Sequence, residues 1–175
     1  MDNKHTETHS LKFVQAAGES DAGTIAALAR EIWTEHFIGM ISARQVEYML
    51  DKLQSKSAVL EQINSQGYKY YLVQCEQEYI GYFAFIDRGE DVFISKFYLL
   101  KSFRGRGIFS KMLDFITDYA QRHGIFKLFL MVNKHNDSAI SIYSKKGFKI
   151  HKEMVNDIGS GFSNDDYLLL KILGV

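Results

Sequence analysis

Arg104-Gly105-Arg106-Gly107-Ile108-Phe109-Ser110 is the stretch whose residue types and spacing point most directly to chemistry. Glycine adopts positive φ without steric cost and lets a ligand lie against the backbone. The apolar residues Ile108, Phe109, Met112, Leu113, Ile116, Tyr119 and Ala120 then recur at helical spacing. A helix start leaves its first N–H groups unpaired and carries partial positive charge. A glycine turn entering a helix is therefore a phosphate or pyrophosphate site, to which Arg104 and Arg106 add full charges. Two nucleotide templates do not apply. The P-loop ends in Gly-Lys-Ser/Thr and the dinucleotide fingerprint needs a third spaced glycine, whereas Phe109 and Ser110 stand here. On these residues alone, a solvated strand–helix turn that happens to be basic is an equal reading.

A second constellation follows after one helix and one strand: Val132-x-x-x-Asn136-x-x-Ala139-x-x-x-Tyr143-x-x-x-Gly147-Phe148. With Arg104-x-x-Gly107-x-Phe109 it resembles the paired cofactor motifs of the GNAT superfamily of N-acetyltransferases, over a region from Tyr70 to Ile172. Phe109 departs from the family pattern, which has Gly or Ala there. More loosely, Ile32-Trp33, Ile41-Ser42 and Gln45 to Leu50 are similar to bacterial polyamine-type members. The resemblance implies acetyl-CoA as cofactor and acetyl transfer to a small amine, possibly a polyamine, in a ternary complex. It implies that N–H groups of Gly105, Arg106, Gly107, Ile108, Phe109 and Ser110 cradle the pyrophosphate, with the Arg104 and Arg106 side chains as charge partners. Backbone groups of Phe97, Tyr98 and Leu99 would pair with the pantetheine amides, with Asn136 and Ala139 beside the same arm. Asn136 could equally cap the helix that follows it. Tyr143 is implied as the general acid for the departing sulfur, and a tyrosine packed in a helix is the plain alternative.

The general base is not fixed by these motifs. An aliphatic ammonium has a pKa near 10.4, so about one in a few thousand is neutral at pH 7. Many family members carry a carboxylate in the strand before the glycine loop or in the next strand. Lys96 and Met131 stand at those places. Glu31, Glu35, His36, His135 and Asp166 are the remaining candidates, each of which also reads as an ordinary surface or solvated group. Glu31, Glu35, Asp157, Asp165 and Asp166 could together attract a polycation. A non-catalytic acyl-CoA-binding module and a peptide or protein N-acetyltransferase are the competing functions.

The elements that must position these residues are legible from periodicity. Leu11 to Ala16 reads as a first strand, and Gly18 to Asp21 as a turn and N-cap. Ile25, Leu28, Ala29, Ile32 and Trp33 form one helical face. A second helix follows Ser42, and a third runs from Ala58 to Ile63. Tyr70 to Cys75 and Tyr79 to Asp87 are strands joined by a hairpin-length connection. Val92 to Leu100 is an apolar, β-favouring run broken by Ser95 and Lys96. Its helix ends near His123-Gly124. Lys127 to Val132 is a buried strand, and Asp137 or Ser138 caps a short helix to Lys145. Lys149 to Val155 and Asp166 to Ile172 close the chain, with Gly159 to Gly161 in the loop between. The fold class is α/β (α+β). By resemblance it is a GNAT fold, with a central, mostly antiparallel sheet of about seven strands flanked by helices and splayed at the cofactor strand.

Composition excludes several classes. Acidic and basic residues number 21 each, so no bulk charge favours nucleic acid or a membrane surface. No apolar stretch approaches the roughly 20 residues of a membrane span. Residues 1–10 lack a signal-peptide core and read as a frayed leader. Cys75 is the only cysteine, which precludes an intrachain disulfide and fits a cytoplasmic setting. It reads as a packed strand residue rather than a nucleophile. A chain of 175 residues without linkers or repeats is one domain, a monomer or homodimer, and no metal site is signalled.

Overall fold

The structure is a computed structural model, described over residues 10–37 and 39–174. The expected leader, apart from Ser10, lies outside the described residues. The described elements run β1 Leu11–Gln15, α1 Glu19–His36, α2 Ala43–Gln54, α3 Lys56–Ser65, β2 Tyr68–Cys75, β3 Glu78–Asp87, β4 Val92–Leu99, a 3-10 turn Lys101–Phe103, α4 Ile108–Arg122, β5 Lys127–Asn133, α5 Asp137–Lys145, β6 Lys149–Gly159 and β7 Phe162–Ile172.

Seven strands form one sheet in the order β1-β2-β3-β4-β5-β7-β6. All pairs are antiparallel except β4–β5. Its two faces carry separate cores. The apolar stripe of α4, including Met112, Leu113 and Ile116, packs with Val92, Ile94 and Leu130 on one face. Ile25, Ile32 and Trp33 of α1, with Val46, Met49 and Leu50 of α2, pack with Leu72 and Tyr82 on the other. Cys75 is partly buried against the α4-side core, as a packing residue.

Two features of β4 position the site. The parallel pairing to β5 covers only Val92–Leu128, Phe93–Phe129 and Ile94–Leu130. Beyond Ile94 the strands part, so the β5-facing backbone edge of β4 has no strand partner. At the same point the β3–β4 register slips from Ile94 opposite Phe85 to Lys96 opposite Ala84, leaving Ser95 as a bulged residue. A bulge reverses which residues face which side. Val92 and Ile94 face the α4-side core, and after the bulge Phe97 and Leu99 do so. Lys96 and Tyr98 are thereby turned to the α1–α2 face, where Lys96 Nζ sits 5.6 Å from the centre of the Tyr68 ring. Gly81 of β3 allows the strands to cross closely, because a Cβ there would lie 2.3 Å from the Tyr98 carbonyl oxygen.

Several boundaries differ from expectation. Helix α3 is longer at both ends, because Ser55 caps it by accepting from the Ala58 N–H at 3.3 Å. Of the offered caps for α5, Asn136 is the one used, its Oδ1 accepting from the Ala139 N–H at 3.1 Å, and Asp137 and Ser138 fall inside the helix. At α1 the N-cap is Gly18 with no side-chain bond, while Asp21 instead accepts from the Ala17 N–H at 3.0 Å. The closing strands run through the polar segment expected as loop, forming a hairpin tipped by Ser160 and Gly161. Helix α2 holds that segment: Tyr48 donates to the Ile158 carbonyl at 2.7 Å and Gln45 to the Ser163 carbonyl at 3.2 Å. Tertiary hydrogen bonds here outweigh poor strand propensity.

Candidate active site

The gap between β4 and β5 opens into a cavity of about 580 Å³, walled by α1 and α2 on one side and by α5 and β7 on the other. Arg104 and Phe109, on either side of the glycine turn, line it. Gly105 and Gly107 have φ of 75° and 77°, and Gly107 is the N-cap of α4. A Cβ on Gly107 would meet nothing within 4 Å, so its positive φ, not crowding, is what requires glycine. Lys111 is the first α4 residue whose N–H is paired, to the Gly107 carbonyl at 3.3 Å. Among the described residues, the N–H groups from Gly105 to Ser110 have no backbone partner.

The two arginines have different surroundings. Arg104 Nε donates to the Leu99 carbonyl at 3.0 Å, and its guanidinium lies 3.8 Å from Glu35. Arg104 thus ties the end of β4 to α1. Arg106 is exposed and stacks 5.1 Å from the centre of the Phe103 ring. A third cation, Lys146, was not singled out by the motifs. Its Nζ donates to Ser110 Oγ at 2.6 Å, at the first turn of α4. Its place just after α5 carried no sequence signal, because it meets α4 only through the fold.

Phe109 explains its own departure from the family pattern. Its ring centre lies 4.7 Å from that of Phe97 and 5.4 Å from that of Tyr143, so the three rings share one wall. Tyr143 is 8% exposed, lines the cavity, and also packs on Phe148. Burial pushes its phenol well above the ordinary value, so the hydroxyl keeps its proton at neutral pH. Tyr98 lies near enough to Tyr143 and Asp166 that, after burial itself, both raise its phenol further.

Of the five candidate bases, the fold brings His36 and Asp166 to the cavity. Glu31 and His135 are exposed and outside it, and Glu35 is ion-paired to Lys101 at 3.5 Å. Asn136 uses its Oδ1 as the helix cap, so its Nδ2 faces His36 Nε2 at 3.0 Å. His36 must then accept at Nε2 and carry its proton on Nδ1. Burial, and secondarily the Arg104 charge, hold its pKa below the ordinary value, with Glu35 opposing. His36 is therefore a neutral bridge from the end of α1 to the cap of α5.

Asp166, on β7, is 8% exposed. Burial pushes its carboxyl up to about 6, the charge of Asp165 adding to the rise and Lys134 opposing it. It is the one carboxylate among the described cavity-lining residues. The other acidic groups are engaged elsewhere: Asp165 with Lys134 at 2.7 Å, and Asp157 with the Gly159 N–H at 2.7 Å. Met131 is on the cavity wall and 41% exposed. Lys96 is 8% exposed, lines the same cavity, and donates to Ser95 Oγ at 2.7 Å. Among the described residues there is no metal-binding cluster, and no helix is long and apolar enough to cross a membrane.

Residues 25–148 match the Acetyltransferase (GNAT) family. The chain is 26% identical over 171 residues to an uncharacterized N-acetyltransferase of Lactobacillus delbrueckii subsp. lactis, covering 93% of this chain and 98% of that one. It is 27% identical over 108 residues to spermidine N(1)-acetyltransferase of Escherichia coli (strain K12), covering 60% of this chain and 56% of that one. The crystal structure of PaiA N-acetyltransferase from Thermoplasma acidophilum in complex with coenzyme A shares the fold. Its TM-score is 0.77 at 21% identity, over 93% of this chain and 99% of that one.

Proposed function

Because this chain belongs to the GNAT family of acetyltransferases, we propose that it transfers the acetyl group of acetyl-CoA directly to the amine of a small acceptor held in the same cavity. The observation that carries this reading is the parting of β4 from β5 after Ile94, with Tyr143 lining the gap. The residues fit the cofactor. The unpartnered edge of β4 from Ser95 to Leu99 offers N–H and C=O groups to its amides. The unpaired N–H groups from Gly105 to Ser110, with Arg106 and Lys146, suit its pyrophosphate. Arg104 serves by holding the end of β4 in place. Asn136 and Ala139 form the opposite wall of the arm's path. Acetyl-CoA supplies the acyl group as a thioester with a thiolate leaving group.

Tyr143 is the proton donor in this reading. A phenol titrates near 10 and a thiol near 8.5, so handing the proton to a free thiolate is uphill by roughly 2 kcal/mol. Burial makes it more so. Tyr143 Oη therefore donates a hydrogen bond to the departing sulfur, or its proton only as the bond to carbon breaks. Asp166 is mostly ionised at pH 7 and is placed to take a proton from the acceptor ammonium. His36, already neutral and bonded to Asn136, positions the cap rather than acting as base.

The partial similarity to spermidine N(1)-acetyltransferase supports a polyamine as a second reading of the acceptor. Thiol release from acetyl-CoA over a panel of amines tests the activity, and Tyr143→Phe tests its chemistry. The substitution should leave coenzyme A affinity nearly unchanged and lower kcat by about 10²–10⁴-fold, the usual worth of a positioned acid. The fall should appear equally in kcat/KM. Full activity in Tyr143→Phe would remove it from the reaction.

A further inference from the structure

We infer that the acceptor carries an anionic group as well as its amine, and that Lys96 binds that group; the natural substrate class is an amino acid, or amino-carboxylate, with an apolar body. The inference rests on the acetyltransferase reading of the same cavity. Three observations carry it. Lys96 is a buried cation on the cavity wall, turned to the α1–α2 face by the Ser95 bulge. Buried charges are normally paired, yet among the described residues no carboxylate lies within 4.0 Å of Lys96. Its polar contact is the neutral Ser95 Oγ at 2.7 Å, and its other neighbour is the Tyr68 ring. A ligand carboxylate would supply the missing partner.

The second observation is the charge of the cavity. Asp166 is its one acid, against Lys96 and Arg104. An extended polycation would set several ammonium groups against one carboxylate and beside an unpaired lysine. A molecule with one ammonium and one carboxylate matches Asp166 and Lys96, which are not paired to each other. The third is the apolar wall of the same cavity. Trp33, Phe37, Met40, Ile41, Met49 and Leu53 line the α1–α2 side, so the body of the acceptor is apolar.

Burial alone holds Lys96 down to about 8. It is still largely charged at pH 7, and a bound anion would raise it again.

The test pairs each apolar amino acid with its decarboxylated amine, for example phenylalanine with phenethylamine, and adds spermidine. Acetyl transfer and calorimetric binding in the presence of coenzyme A are both measured, with wild type and Lys96→Met. The expected result is a preference for amino acids that Lys96→Met lowers by about 10- to 150-fold, the worth of one charge-assisted hydrogen bond. Activity on the decarboxylated amine should not fall, since that amine has no anionic group for Lys96 to bind and is relieved of its charge. Lys96→Met must retain coenzyme A binding, and Lys96→Arg, which keeps the charge, should restore part of the preference. Binding of amino acids through Lys96 without turnover would uphold this inference while removing the acetyltransferase reading. Preference for spermidine or for decarboxylated amines, an unchanged preference in Lys96→Met, or no binding of any amino acid would overturn it.

Discussion

Burial acts on Tyr143, Asp166 and Lys96 in the same sense, favouring the neutral form of each. The consequences differ. Tyr143 becomes a firmer proton holder. Asp166, moved from 3.8 to about 6, becomes a base whose ionisation falls within the working range. If it takes the acceptor's proton, kcat/KM should rise with pH through an acid limb near 6. Asp166→Asn should remove that limb and most of the activity, while leaving coenzyme A affinity intact. A pH profile unchanged in Asp166→Asn would show that water or another group is the base. The same shift has a stability cost. The carboxylate of Asp166 is penalised when folded, so the loss is absent below about pH 3.8, grows as pH rises through about 6, and is complete above it. Its size is on the order of 3 kcal/mol.

At the scale of elements, two glycines do different work and predict different failures. Gly107 stands in open space at φ 77°, so a side chain there meets conformational strain alone, on the order of 1–2 kcal/mol. Gly107→Val should leave a folded protein whose turn no longer presents its N–H groups together. Calorimetry should then show coenzyme A binding strongly weakened, with only a modest fall in melting temperature. Undiminished binding would show that the turn's φ is irrelevant to the cofactor. Gly81 instead sits against backbone, the Tyr98 carbonyl and Leu99 Cα. Gly81→Ala must push β3 from β4, at an overpacking cost of about 1–3 kcal/mol. Because β4 forms one lip of the gap, thermal melting and coenzyme A affinity should fall together. A fall in stability with unaltered affinity would mean that the displacement is absorbed by β3.

For the molecule as a whole, the buried lysine is a test of whether stability has been given up for binding. Its folded pKa is about 8 against an ordinary 10.5. This is a depressed cation, so the penalty is fully present below about pH 8 and is relieved as pH rises through 10.5. It amounts to about 3 kcal/mol. Lys96→Met should therefore raise the melting temperature of the ligand-free protein at pH 7, by about 2–4 °C for each kcal/mol recovered. The gain should shrink as pH rises above about 8 and be gone above 10.5. A lower melting temperature at pH 7 would mean that the Ser95 and Tyr68 contacts outweigh the burial. The sheet is organised around this same region. Only three residue pairs join β4 to β5, and that short seam is what opens the cavity without dividing the sheet.

Local signals carried much of this structure. Helical spacing in α1 and α4, the glycine turn, and the Asn136–Tyr143–Gly147 spacing all lie within stretches short enough for backbone preference and side-chain period to fix them. They were sufficient for the strand–turn–helix beside the cavity and for the α5 position of Tyr143. What they left open was decided by contacts between distant residues. The choice of Asp166 and His36 over Glu31, Glu35 and His135 depends on which of them a sheet and a helix end deliver to one cavity. His36 and Asn136 meet across 100 residues of chain. Lys146 reaches Ser110 only because the fold brings the end of α5 to the first turn of α4. Ser95 and Lys96 were visible as a break in an apolar run, but a break does not say which face the lysine takes. The register slip against β3 decides that, because one extra residue in a strand of period two exchanges its faces.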